Sequence, residues 1–230
     1  MPNTDSPQAR AEHRWPAVLA LLIALGLYAT LPSAFLPGLR YTVVAVGLAM
    51  LIPLLILNPR RLHKETRWSK NLATGQALLL VAANGFALVQ LIILLTTSGN
   101  SNGPTILLAA LQIWVTNIIA FALVFWELDR GGPVSRRHAD RKDMPVADFR
   151  FPQDEDHDAI DEVAARSSKR TGWVASFVDY LYFSLSNSMA FSPTDTMPLS
   201  GRAKVMMGLE AAGGFVLLAL VIARAVSLLS

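Results

Sequence analysis

Four runs of apolar sequence, 15–36, 41–57, 72–95 and 105–126, contain no Asp, Glu, Lys or Arg. Each is close to the roughly 17–25 residues that one bilayer crossing requires. In hydrocarbon every backbone amide must be satisfied within its own segment, so such runs are predicted helices. Two further segments follow. The first, 173–191, holds Asp179, and the second, 203–229, holds Lys204, Glu210 and Arg224. Hydrophobic residues make up 53% of the 230 and charged residues only 16%, against about 25% charged in soluble domains. The chain therefore reads as an all-α integral membrane protein, a bundle of five to six transmembrane helices. The first run exceeds the roughly 7–15 residues of a signal-peptide core, and a second run follows closely. It is expected to stay as an uncleaved first span.

The connections set the expected topology. NPRRLHKETRWSKN carries Arg60, Arg61, Lys64, Arg67 and Lys70, whereas TTSGNSNGPT carries no charge. The positive-inside rule puts the basic loop in the cytoplasm, together with the N-terminal segment 1–14 and its Arg10 and Arg14. The four-helix region 15–126 then returns the chain to the cytoplasm. Residues 127–172 form a polar loop, basic in its first half and acidic then basic in its second, expected to be partly disordered and to offer a surface to an unknown cytoplasmic partner. Residues 173–230 form the last unit. The localisation expected is a plasma or inner membrane, with the lipid bilayer as the first partner.

Several function classes drop out. The chain has no cysteine, which excludes disulfides, thiolate metal sites and cysteine catalysis. The net charge of +3 comes largely from basic loops and suits a membrane-flanking protein, with no nucleic-acid motif visible. His13, His63, His138 and His157 all lie in polar segments without metal-ligand spacing. There is no H-E-x-x-H, Walker loop or G-x-S-x-G. The expectation is a protein without cofactor, metal or catalytic residues, and DEDHD at 154–158 reads as a solvated charge run.

The stretch FVDYLYFSLSNSMAFSPTDTMPLSGRAKVMMGLEAAGGFVLLALVIARAVSLL resembles the pore module of two-helix potassium channels. Those show a D-x-x-Y-F-S pore helix, then T-V-G-Y-G-D, then P-x-[ST] before a lining helix with L-E-A, a glycine hinge and A-R. Asp179, Tyr182, Phe183 and Ser184 match the first element; Asp195, Pro198 and Ser200 match the second and third. Leu209, Glu210, Ala211, Gly213 or Gly214, Ala223 and Arg224 match the lining helix. The resemblance implies a short, pore-helix-like fifth segment and a homo-oligomer, a tetramer as in that family. The filter positions, however, hold Ala190, Phe191, Ser192, Pro193 and Thr194. A potassium filter uses glycines for its unusual backbone, and Ser, Pro and Thr do not adopt positive φ cheaply. Potassium selectivity is therefore rejected. The overall layout also resembles an uncharacterised bacterial family of predicted membrane proteins with a similar degenerate pore-loop region.

The expected function is an ion-channel-like membrane protein, a poorly selective pore for ions or small solutes. The alternative is a non-conducting scaffold or partner-binding protein that keeps the pore-module fold. Segment 173–191 either crosses fully, giving six spans, which its length favours, or re-enters from the cytoplasmic side, giving five. Gln76, Asn84, Gln90, Gln112 and Asn117 are candidates for a polar lining, with interhelical hydrogen bonding as the ordinary alternative. Asp179 either caps its helix or meets the interface, or else, with Asn187, Glu210 and Arg224, it is an ion-site candidate facing the bundle interior. Glu210 is expected to bond Ser186, Asn187 or Ser188, or else to serve an ion site. Gly213 and Gly214 are either a hinge or a point of close approach, and Arg224 is expected to snorkel to the interface. Asp195 either attracts cations or forms a turn with Ser192 and Thr194.

Overall fold

The computed structural model describes residues 11–32, 35–97, 103–138, 143–189 and 196–229. The longer helices are α1 (Trp15–Ala29), α2 (Pro37–Leu57), α3 (Arg67–Thr97) and α4 (Gly103–Leu128). Three short ones follow, α5 (Pro133–His138), α6 (Asp161–Ala164) and α7 (Ser168–Thr171), and then α8 (Phe177–Ser188) and α9 (Gly201–Leu229). The strands β1 (Phe149–Arg150) and β2 (Met197–Pro198) form one small antiparallel ribbon, with Phe149 opposite Pro198 and Arg150 opposite Met197. Four helices are long and apolar enough to cross a membrane: Pro37–Leu57, Arg67–Leu95, Gly103–Gly131 and Gly201–Arg224.

Helix α4 is the hub. It packs against α1, α3, α8 and α9, and 72% of its apolar stretch is buried, against 22–28% for the other three long helices. Their outer faces carry exposed apolar side chains such as Leu48, Ile52, Phe86, Val89, Phe215 and Ile222, the surface a hydrocarbon solvent requires. One end of the bundle gathers the start of α1, the end of α2, the start of α3, the end of α4 and the starts of α8 and α9. There Leu62 N–H donates to Glu12 O (3.1 Å), Trp126 Nε1 to Glu12 Oε1 (3.2 Å) and Phe177 N–H to the same carboxylate (2.6 Å).

Two apolar segments are shorter as helices than as sequence runs. Helix α1 has 15 residues, about 22 Å at 1.5 Å per residue, less than a hydrocarbon core of about 30 Å. It stops because Thr30 turns its hydroxyl back onto Gly26 O (3.0 Å) and Leu27 O (3.1 Å), and Pro32 follows, where an N–H would be needed. Within the fifth segment α8 has 12 residues, about 18 Å. Both helices are thus shorter than the apolar runs that contain them.

The polar segment 127–172 also differs from a solvated loop over its described residues. Phe149 and Phe151 are buried beside Phe125, Tyr180 and Phe183. Asp129, fully buried, accepts from the backbone N–H of Asp148 (2.7 Å) and Phe149 (3.2 Å) and from Tyr180 OH (2.5 Å). Arg136 donates through Nε to Ala175 O (3.0 Å) and through Nη1 to Trp126 O (2.6 Å), with its guanidinium over the Tyr180 ring. Two aromatic anchors and two buried, hydrogen-bonded charges hold the segment over the bundle end.

Candidate functional site

Segment 173–229 brings several of the expected residues together. Helix α8 begins with a capping box. Asp179 Oδ2 accepts from Ser176 N–H and from Ser176 Oγ, both at 2.7 Å, satisfying donors that the first turn would leave orphaned. Tyr180, Ser184, Asn187 and Ser188 then recur at helical spacing on one face, and all four are buried. That face meets α4 and α9.

Glu210 lies at its centre, fully buried. Its Oε2 accepts from Asn187 Nδ2 at 2.7 Å, and Asn187 Nδ2 also reaches Met207 O at 3.0 Å. Its Oε1 bonds Ser184 Oγ, which lies 2.7 Å from Ile118 O on α4. The hydroxyl has one proton, which serves one acceptor at a time. One carboxyl thus joins α8 to α9 while Ser184 joins both to α4. Of the expected partners, Asn187 is engaged. Ser186 bonds back to Tyr182 O, and Ser188 to Leu185 O (both 3.0 Å). Ser184 was not among the expected partners, although it sits one helical turn before Ser188.

Gly214 is the point of closest approach. A Cβ there would stand 2.2 Å from Ser188 O and 3.0 Å from Ser188 C, so only glycine lets the end of α8 lie on α9. Gly213 is ordinary by comparison, its Cβ position 3.7 Å from Leu88 Cδ2 and 3.9 Å from Asn117 Oδ1. Helix α9 runs unbroken through both glycines.

The other polar residues are distributed between helices. Asn84 Nδ2 donates to Asn117 Oδ1 (2.9 Å), linking α3 to α4 one layer from Gly213. Gln76 Nε2 donates to Gly47 O on α2 (2.6 Å), and Gln112 Nε2 to Thr30 Oγ1 at the end of α1 (3.0 Å). Gln90 is half-buried on α3 and Arg224 half-buried near the far end of α9. Asn84, Asn117, Asn187 and Glu210 are all buried, and their hydrogen bonds run between helices, which is the geometry of interhelical glue. Ala190, Phe191, Ser192, Pro193, Thr194 and Asp195 lie outside the described residues.

Both ends of this unit are fastened at one end of the bundle. Phe177 N–H bonds Glu12. Past residue 195, Leu199 N–H donates to Asp148 O (2.8 Å), Ser200 Oγ to Asp148 Oδ1 (2.5 Å) and Arg202 Nε to Asp148 Oδ1 (2.8 Å). Sequence reasoning missed Glu12, Asp129, Arg136 and Asp148, because their partners lie tens of residues away. Comparison with family models, curated proteins and solved structures gives no match for this chain.

Proposed function

We propose that the chain is a multi-pass membrane protein built on a re-entrant module, and that as a homo-oligomer it passes ions or small solutes with poor selectivity. One observation carries the reading. Helices α8 and α9 start at the same end of the bundle, yet α8 ends against Gly214, 13 residues and about 20 Å along α9. The chain reaches mid-membrane depth at Ser188 and is back at the starting end by Leu199, where it bonds Asp148. A half-length helix parallel to the long helix that follows it is the layout of the potassium-channel pore module that the sequence resembles. The basic loop supports an entrance on the cytoplasmic side. Five crossings fit this arrangement. Gly208, Ala212 and Ala223 are exposed on α9, and small residues of this kind allow close helix association between subunits.

The topology has a direct check. Cysteines introduced singly at Lys169, Leu199 and Gly38 in this cysteine-free chain are expected to label from two faces of sealed vesicles. Lys169→Cys and Leu199→Cys react from one face and Gly38→Cys from the other. Labelling of Lys169→Cys and Leu199→Cys from opposite faces would show that α8 crosses the membrane.

Conduction is tested with purified protein in a planar bilayer under potassium, sodium and chloride gradients in turn. Currents without strong preference are expected, with a selectivity that changes in Asp195→Asn. A second reading is favoured by the internal pairing of Asn84 with Asn117 and of Asn187 with Glu210. It is a non-conducting scaffold that retains the module as a packing solution. Electrical silence of folded, inserted protein under all three gradients establishes that reading instead.

A further inference from the structure

The basic connection between α2 and α3 is not a loose charged loop. The side chain of the buried Asn58 closes it into a ring: Oδ1 accepts from His63 N–H (3.2 Å) and Lys64 N–H (3.1 Å), and Nδ2 donates to Lys64 O (2.7 Å). The segment before α1 fixes its other side. His13 bridges to Arg61, Arg14 N–H donates to Arg60 O (3.2 Å), and Leu62 N–H donates to Glu12 O (3.1 Å). The result is a bowl of about 400 Å³, lined by Leu57 and Pro59 together with Arg60, Arg61, Lys64, His13 and His63. No carboxylate lines it among the described residues, and nearby Glu65 is turned to Lys70 (3.5 Å).

Two features suit this bowl to an anion at a membrane surface. The C-terminus of α2 would oppose one through its partial negative charge. Arg14 cancels that field, with Nη1 on Leu54 O and 3.4 Å from Asn58 O. The depth is set independently by Trp15, 54% exposed, and Trp68, 57% exposed, which flank the bowl in sequence. Exposed tryptophans of membrane helices settle at the headgroup level. Apolar walls with a cationic rim at that depth match a phosphodiester headgroup and the glycerol beneath it.

We propose that the bowl formed by Arg60, Arg61, Lys64, His13 and His63 binds the headgroup phosphate of an anionic phospholipid in the cytoplasmic leaflet. The site rests on the membrane reading and not on conduction. Juxtamembrane cations each strengthen anionic-lipid binding by roughly fivefold, so three of them set a ceiling of about a hundredfold if their effects multiply, and a preference of at least about tenfold is expected.

The test is native mass spectrometry of the full chain from micelles holding phosphatidylglycerol and phosphatidylcholine at equal mole fraction. The protein is expected to retain phosphatidylglycerol about tenfold over phosphatidylcholine. Arg60→Gln/Arg61→Gln/Lys64→Gln should abolish the preference, and Arg166→Gln/Lys169→Gln, on an exposed cytoplasmic segment, should keep it. Should the triple variant fail to fold, the exposed Lys64→Gln alone is expected to lower the preference by about fivefold. Inorganic phosphate at millimolar concentration is expected to leave lipid retention unchanged. The proposal is overturned if the folded bowl variant keeps its preference, if the control loses it equally, or if phosphate displaces the lipid and so reveals a free-anion site.

Discussion

Replacing Gly214 by leucine is expected to lower the stability of the folded chain by about 3 kcal/mol or more, toward the upper end of overpacking costs. The reason is the identity of the obstructing atoms. A Cβ at 214 meets the backbone of Ser188, its oxygen at 2.2 Å, its carbonyl carbon at 3.0 Å and its Cα at 3.2 Å. A flexible side chain could swing aside, but a backbone carbonyl at a helix end moves only with its helix. Moving α8 strains the bonds of Ser184 and Asn187 to Glu210. Even Gly214→Ala is expected to cost about 1–3 kcal/mol, although alanine favours a helix over glycine by about 1 kcal/mol. Gly208→Ala is the matched control, because nothing stands within 4 Å of its Cβ position. It is expected to be neutral or slightly stabilising. The measurement is the unfolding midpoint of each variant in detergent micelles. Equal midpoints for Gly214→Leu and Gly208→Ala would mean that α8 does not rest on α9 at this point.

The helical frame was legible because hydrocarbon leaves few options. Charge-free runs of membrane-crossing length have to be helices, and 41–57, 72–95 and 105–126 all fall inside helices of the fold. What apolar content does not report is where a helix stops. Thr30 and Pro32 end α1 inside an apolar run, and α8 ends at Ser188 although apolar residues continue on both sides of it. In both places local hydrogen bonding and close packing override hydropathy.

The fastening of 127–172 was illegible for a different reason. Its charges look like those of a solvated loop until their partners are known. Asp129 bonds the N–H of residues 148 and 149 and the hydroxyl of Tyr180, and Asp148 bonds Ser200 and Arg202. Nothing in local composition distinguishes a buried, fully bonded aspartate from an exposed one. The aromatic pair Phe149 and Phe151 was the available signal, since two phenylalanines flanking one arginine suit an ordered edge better than a disordered loop. At Gly214 the sequence offered both a hinge and a close approach, and only the position of Ser188 separates them. For Glu210 the chemistry was legible, a hydrogen-bonded carboxyl facing the preceding helix, while its hydroxyl partner was misplaced by one turn.

Glu210 separates a structural role from an ion-binding one through a pair of substitutions with opposite expectations. Glu210→Leu removes the acceptor shared by Ser184 and Asn187 and leaves the second of these short of a partner in a buried layer. Unsatisfied buried polar groups cost about 1–3 kcal/mol each, so a loss of about 3 kcal/mol is expected in the same micellar unfolding measurement. Glu210→Gln keeps the shape and can preserve the hydrogen bonds to Ser184 and Asn187. Its amide NH2 donates to Ser184 Oγ, the Ser184 proton turns to Ile118 O at 2.7 Å, and its carbonyl oxygen accepts from Asn187 Nδ2. Near-native stability is therefore expected for the glutamine variant. An ion site would behave otherwise, because an amide lacks the charge that compensates a bound cation, whatever its hydrogen bonds. If Glu210→Gln matches the parent chain both in stability and in any current across a bilayer, the carboxyl is a joint between α8 and α9. If its stability is unchanged but current or cation dependence is lost, the carboxyl takes part in permeation, and the pathway runs behind α8 rather than past residues 190–195.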